Sequence, residues 1–117
     1  MTTFGQYLRQ RREELRATDP GFSLRKVAAR IGVQPSFLSK VERDQDSPPS
    51  EEKILALARV LEEDPDVLLA LAGKISSDLQ QAIRRRPQLF SRLIRELKDL
   101  PDGAVEQIAR EVRDGKW

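Results

Sequence analysis

The sequence predicts an all-α protein. Apolar residues recur three and four apart in several short windows, and proline stands only at the edges of predicted elements. No window alternates apolar with polar residues or strings β-branched residues together, as strands do. With 117 residues, the chain is one ordinary domain, or one small domain with an appendage. No apolar run approaches the roughly eighteen residues that a membrane span needs. Thr2-Thr3-Phe4 lacks the basic start and apolar run of a secretory signal.

The first helix is expected from Thr3, as its cap, to about Arg16, with Phe4, Leu8 and Leu15 facing inward and Arg11 and Arg12 near the same side. Asp19-Pro20-Gly21 is strong turn chemistry. Leu24, Val27, Ala28 and Ile31 then form one apolar stripe, with Ser23 as cap and Gly32 placed to stop the helix in a left-handed conformation. A further helix begins with Pro35 in its first turn, where the missing N–H is not needed. Its Leu38 and Val41 face back to the core, while Ser36, Ser39, Lys40 and Arg43 share the opposite face. Two short helices joined by a tight Gly-containing turn, the second with a polar and cationic outer face, make a helix-turn-helix.

Residues 3 to 74 resemble the DNA-binding domain of Cro/CI-type (XRE-family) regulators. The resemblance is carried by an ordered set: Arg12, Ser23-Leu24, Val27-Ala28, Ile31-Gly32-Val33, Pro35-Ser36-Phe37-Leu38-Ser39 and Val41-Glu42-Arg43. Pro49-Ser50, Leu57-Ala58, Asp66, Leu68 and Leu69 continue it. Each piece is weak alone; the order makes the set specific. It implies a five-helix domain over residues 1–74 that binds double-stranded DNA, and a cytoplasmic, bacterial or phage-encoded regulator of transcription that sits on the nucleoid when bound. It also implies an ion pair between Arg12 and Glu42 that ties the first helix to the recognition helix. Arg11 is the alternative partner, and both arginines could instead reach to water.

The resemblance assigns base reading to Gln34, Ser36, Phe37 and Lys40. Lys can donate to guanine, Gln to adenine and Ser to either, and a Phe edge can meet a thymine methyl. Phe37 lies at the margin of the apolar stripe and reads equally as core. Phosphate contacts are expected from Arg25 and Lys26, at the start of the second helix, and from Ser39 and Arg43, at the flank and far end of the third. Arg30 faces outward too, as a weaker candidate. The loop Asp44 to Pro49 carries two acids where the family often has Gly and cations. Asp44 could repel the backbone or simply take a left-handed conformation; Ser47 stays available for phosphate.

Charge supports this placement. The net charge is only +2, yet residues 1–43 carry nine bases against four acids, and residues 44–74 carry three against eight. The basic segment is the one with the helix-turn-helix.

Ser50 caps a fourth helix with Ile54, Leu57, Ala58 and Leu61 inward, and Asp64-Pro65 opens a fifth with Leu68 and Leu69. Residues 75–117 should add two or three helices, broken at Arg86-Pro87 and Leu100-Pro101-Asp102-Gly103. Their apolar residues are too few for a core of their own, so they are expected to pack on the first domain, on another copy, or on a partner protein.

His and Cys are both absent, which excludes zinc fingers and Cys- or His-based catalysis. With no Gly-rich phosphate loop either, no enzyme, cofactor or metal is expected. The function expected is a repressor that binds a palindromic operator as a homodimer. The second expectation is an antitoxin-type protein whose C-terminal helices neutralise a partner while the helix-turn-helix controls their operon.

Overall fold

The computed structural model describes residues 1–115 and 117, and the regular elements among them are helical. They form two compact units, Met1–Ser76 and Ser77–Trp117. The first contains α1 (Phe4–Arg16), α2 (Leu24–Ile31), α3 (Pro35–Glu42), α4 (Glu51–Leu61) and α5 (Pro65–Leu71), with a single 3-10 turn at Pro20–Phe22 between α1 and α2. The second contains α6 (Ser77–Arg85), α7 (Pro87–Leu97) and α8 (Asp102–Arg113).

Side-chain caps begin α1, α2, α4 and α5, while α3 starts without one. Thr3 and Gln6 form a reciprocal capping box, each side chain accepting from the other's backbone N–H at 3.1 Å. Ser23 accepts from the Lys26 N–H at 3.3 Å, Ser50 from Lys53 at 3.4 Å and Asp64 from Asp66 at 2.8 Å. The helix ends share a device as well. After α2, the Val33 N–H reaches back to the Ala28 carbonyl at 3.0 Å and the Gly32 N–H to Ala29 at 3.2 Å, with Gly32 at φ 74°. This closes the helix in a Schellman turn. The same pattern follows α3 and α5, with Asp44 (φ 57°) and Gly73 (φ 73°) in the left-handed position; after α4, with Glu62 at φ 58°, the Glu63 and Glu62 N–H groups both reach the Ala58 carbonyl.

The core is continuous across the five helices. Leu8 of α1, Val27 of α2, Leu38 and Val41 of α3, Ile54 and Leu57 of α4 and Leu68 of α5 are all buried in it. Helices of seven or eight residues are too short to persist alone in water, so their apolar stripes against this core hold them.

Polar clamps fix α1 over the core. Arg12 and Glu42 are both buried, each side chain only 4% exposed. Arg12 Nε donates to Glu42 Oε2 at 2.7 Å and Nη2 to Oε1 at 2.9 Å, a two-point fork between α1 and α3. Nη1 donates to the Phe22 carbonyl at 3.3 Å, and no buried side-chain polar atom among the described residues lacks a partner. The bond to Glu42 raises the Arg12 pKa above its ordinary value. Two residues beyond Glu42, at the same end of α3, Asp44 turns toward α1: Oδ1 accepts from the Gly5 N–H at 3.1 Å and Oδ2 from the Thr3 hydroxyl at 2.6 Å. A carboxylate at the start of α1 is favoured by the helix dipole. Arg11 serves a different contact, donating from Nε to the Leu61 carbonyl at 3.0 Å beside Glu63. Tyr7 donates to Glu63 Oε2 at 2.9 Å, which raises the phenol pKa.

None of the described residues of α6, α7 and α8 is buried, and Leu79, Leu89, Leu93, Ile94, Val105 and Val112 are exposed. α6 and α7 pack on each other.

Removing one partner of the Arg12–Glu42 fork strands a buried charge, so Glu42→Ala should lower the urea-unfolding free energy by about 3–5 kcal/mol. A midpoint equal to that of the wild type would mean that the pair is not buried. Gly5 is a second tight point. A Cβ there would meet the Val41 carbonyl oxygen at 2.3 Å and the Glu42 carbonyl oxygen at 2.7 Å. Because backbone rather than a flexible side chain lies in the way, Gly5→Ala should destabilise by about 1–3 kcal/mol in the same measurement. Melting at the wild-type midpoint would show that α1 and α3 can separate freely.

Candidate nucleic-acid interface

The turn between α2 and α3 is held from outside as well as by its own geometry. Lys53 of α4 donates from Nζ to the Ile31 carbonyl at 2.9 Å, satisfying the end of α2 next to Gly32. Lys74 does the same for the α3–α4 loop, donating to the Pro49 carbonyl at 2.9 Å. With the Arg12–Glu42 fork and the Asp44 contacts both tying its C-terminal end to α1, and Lys53 holding the turn before its start, α3 is fixed in rotation about its axis. That decides which side chains it presents.

The face so presented is polar. Gln34, Ser36, Lys40 and Arg43 are exposed, and Ser39 is half-buried. Gln34 stands at the N-cap of α3 without a side-chain hydrogen bond to the helix, which leaves its amide available. Arg43 donates from Nε back to the Ser39 carbonyl at 3.2 Å, which leaves its two terminal nitrogens pointing onward. Phe37 is half-buried and packs on the core cluster, so most of the ring is structural and only part of it is offered outward. Arg25 and Lys26 are exposed in the first turn of α2. Arg30 is occupied, its guanidinium 5.4 Å from the centre of the Phe22 ring. Ser47 is exposed in the loop, its N–H bound to Asp46 at 2.8 Å.

Thus Ser36, Ser39 and Lys40 come from α3, Gln34 and Arg43 from its two caps, and Arg25 and Lys26 from the start of α2. Asp44 belongs to the α1 cap. Three participants have no signature in the sequence: Lys53, Lys74 and the turn of Asp44 toward α1 depend on which residues of distant helices meet. Arg9 is a fourth. It is exposed on α1 and lines a cleft with Ser39 and Arg43.

The arrangement offers hydrogen-bond donors, positive charge and a rigid convex helix. Among the described residues no group of three acids is placed to hold a metal ion, and no helix is long and apolar enough to cross a membrane.

Comparison with known proteins gives the lineage. The helix-turn-helix domain family matches residues 3–71, more than half of the chain. No curated protein matches it. Among solved structures, the chain is similar to one from the SinR protein/SinI protein complex, at 21% identity and a TM-score of 0.50 over 95% of each chain. At that identity the likeness speaks for the fold. The exposed face of α3, the caps and Schellman turns that set it, and the family match over 3–71 lead to one conclusion: the chain belongs to the XRE-like helix-turn-helix family of DNA-binding transcription regulators.

Proposed function

We propose that the chain is a repressor that binds a palindromic operator in double-stranded DNA as a homodimer. The observation that carries this reading is the rigidly set outer face of α3, exposed and polar from Gln34 to Arg43. An α-helix fits the major groove, where each base pair offers a distinct pattern of donors and acceptors. In this reading Gln34, Ser36 and Lys40 donate to base edges, and the outer part of Phe37 meets a thymine methyl. Arg25, Lys26, Ser39, Arg43 and Ser47 hold phosphates. One such helix reads only a few base pairs, so two copies on a two-fold site give useful specificity with a single protein.

The exposed apolar residues of α6, α7 and α8 support the pairing. Leu89, Leu93 and Ile94 are 59%, 45% and 51% exposed on one short helix, more than an isolated three-helix unit would leave to water. A second reading assigns that surface to another protein, as in an antitoxin. The similar solved structure is of a complex between two different proteins, which makes this worth testing. Leu93→Asp in the full chain should weaken self-association and, with it, operator affinity, read by sedimentation and by DNA titration. An unchanged oligomer would turn the surface over to a partner protein.

Reading and holding can be separated. Lys40→Ala should cost about 1–3 kcal/mol at one position and flatten that column, repeated symmetrically, in a selected-site profile. Arg25→Ala should weaken all sequences alike, leave the profile intact and shallow the salt dependence by about one unit of slope per monomer. Selection of random DNA by each variant, with titrations at several salt concentrations, gives both readouts. A wild type without sequence preference would overturn the operator reading.

A further inference from the structure

A cleft of about 160 Å³ opens where α1 crosses α2 and α3, lined by Arg9, Arg12, Glu13, Leu24, Ser39, Glu42 and Arg43. Its inner wall is the buried Arg12–Glu42 fork. Both oxygens of Glu42 are taken by Arg12, at 2.7 and 2.9 Å. Glu13 is likewise engaged, by Arg12 at 3.2 Å and by Arg16 at 3.8 Å. The cations at the rim are not matched in this way. Arg9 has no hydrogen-bond or ion-pair partner among the described residues, and Arg43 makes only the bond from Nε to its own helix.

The Arg9 and Arg43 guanidinium groups therefore line one concave site whose two carboxylates are both directed to other arginines, Glu42 through both oxygens to Arg12 and Glu13 through Oε1 to Arg12 and Arg16. The half-buried cations of the first unit are matched, whereas Arg25, Lys26, Lys40 and Arg59 stay exposed as Arg9 and Arg43 do. Arg11 is held by Glu14 and Glu63, Lys53 by the Ile31 carbonyl, and Lys74 by the Pro49 carbonyl. Like charges that line one small cleft are unfavourable until an anion joins them. Guanidinium nitrogens suit a tetrahedral oxyanion, because their planar forks can each hold two of its oxygens. The Ser39 hydroxyl adds a neutral donor, and Leu24 brings the first turn of α2 to the edge of the cleft. Arg43 and Ser39 also belong to the helix proposed to lie on DNA, so the cleft opens beside that face.

We propose that this cleft seats one phosphodiester of the DNA backbone, gripped by Arg9 from α1 together with Arg43 and Ser39 from α3. The proposal rests on the DNA-binding reading above and adds a residue outside the helix-turn-helix to the interface. Because the seat is walled by the Arg12–Glu42 fork, the phosphate fixes the register of α3 through the same contact that fixes α3 in the fold.

The test compares the full chain with Arg9→Gln, an exposed substitution that leaves the core untouched. Duplex binding is titrated over a range of salt, and single phosphates of the duplex are replaced in turn by uncharged methylphosphonates. The expected result is a salt slope shallower by about 0.9 per lost contact, with the selected-site profile unchanged. One methylphosphonate position per half-site should weaken the wild type and leave Arg9→Gln indifferent. The same slope and the same methylphosphonate sensitivities for both proteins would overturn the seat. So would inorganic phosphate raising the melting temperature of the wild type alone while DNA binding stays equal, since the cleft would then take a free anion. A wild type that binds all sequences alike, with a slope that Arg9→Gln still reduces, would sink the operator reading and keep the seat. No DNA binding at all would overturn both.

Discussion

Everything that α3 presents depends on one buried contact, the fork between Arg12 and Glu42. Two charges withdrawn from water are not a good source of stability by themselves, and an apolar pair of the same size often does as well. What the fork supplies here is direction. An apolar side chain can slide or rotate against its neighbours, whereas two parallel N–H to oxygen bonds at 2.7 and 2.9 Å hold one relative orientation of α1 and α3. A helix turned by one residue about its axis moves its side chains by roughly 100°, enough to hide Lys40 and expose Leu38. Rotation is thus the degree of freedom that a reading helix must not have.

The ends of the helices restrict the remaining freedom. Four successive helices close on a left-handed residue, two of them on glycine and two on acids. Glycine takes that conformation without penalty; Asp and Glu do not. Asp44 is compensated, because the turn that strains its backbone also aims its carboxylate at the Gly5 N–H and the Thr3 hydroxyl. This is why Gly5 has no side chain: the start of α1 lies too close to the end of α3 to admit one. Glu62 gains less, an exposed approach to Arg11 at 3.8 Å.

The local part of this design was legible in the sequence. Ser23, Gly32, Pro35, Ser50 and Asp64 act through neighbours a few residues away, and their chemistry names their positions. The apolar stripes of α1 to α5 were legible for the same reason. The partner of Arg12 was not given by periodicity, which left Arg11 and Arg12 equivalent; only the resemblance chose between them. Lys53, Lys74 and Arg9 were illegible because each acts across helices, and an exposed cation looks alike whether it meets a carbonyl, a phosphate or water. Asp44 was read as an open choice between repelling DNA and turning left-handed. What could not be read was its direction, toward α1, which depends on how closely α1 and α3 pack.

The weak net charge of the chain has a structural meaning. The acids of residues 44–74 outnumber the bases, and two of them, Glu63 and Glu62, lie against Arg11 of α1. Asp44, though exposed, is spent on closing the start of α1. Glu13 and Glu42 are consumed by Arg12 and Arg16. The exposed cations that pairing leaves over are Arg9, Arg25, Lys26, Lys40 and Arg43 on α1, α2 and α3 or their ends, with Arg59 alone on α4. A field concentrated on one face attracts a polyanion more effectively than a larger charge spread evenly, since contacts within about 8–10 Å dominate at physiological salt. Net charge alone would have argued against DNA; the internal pairing of the acids is what makes +2 compatible with it.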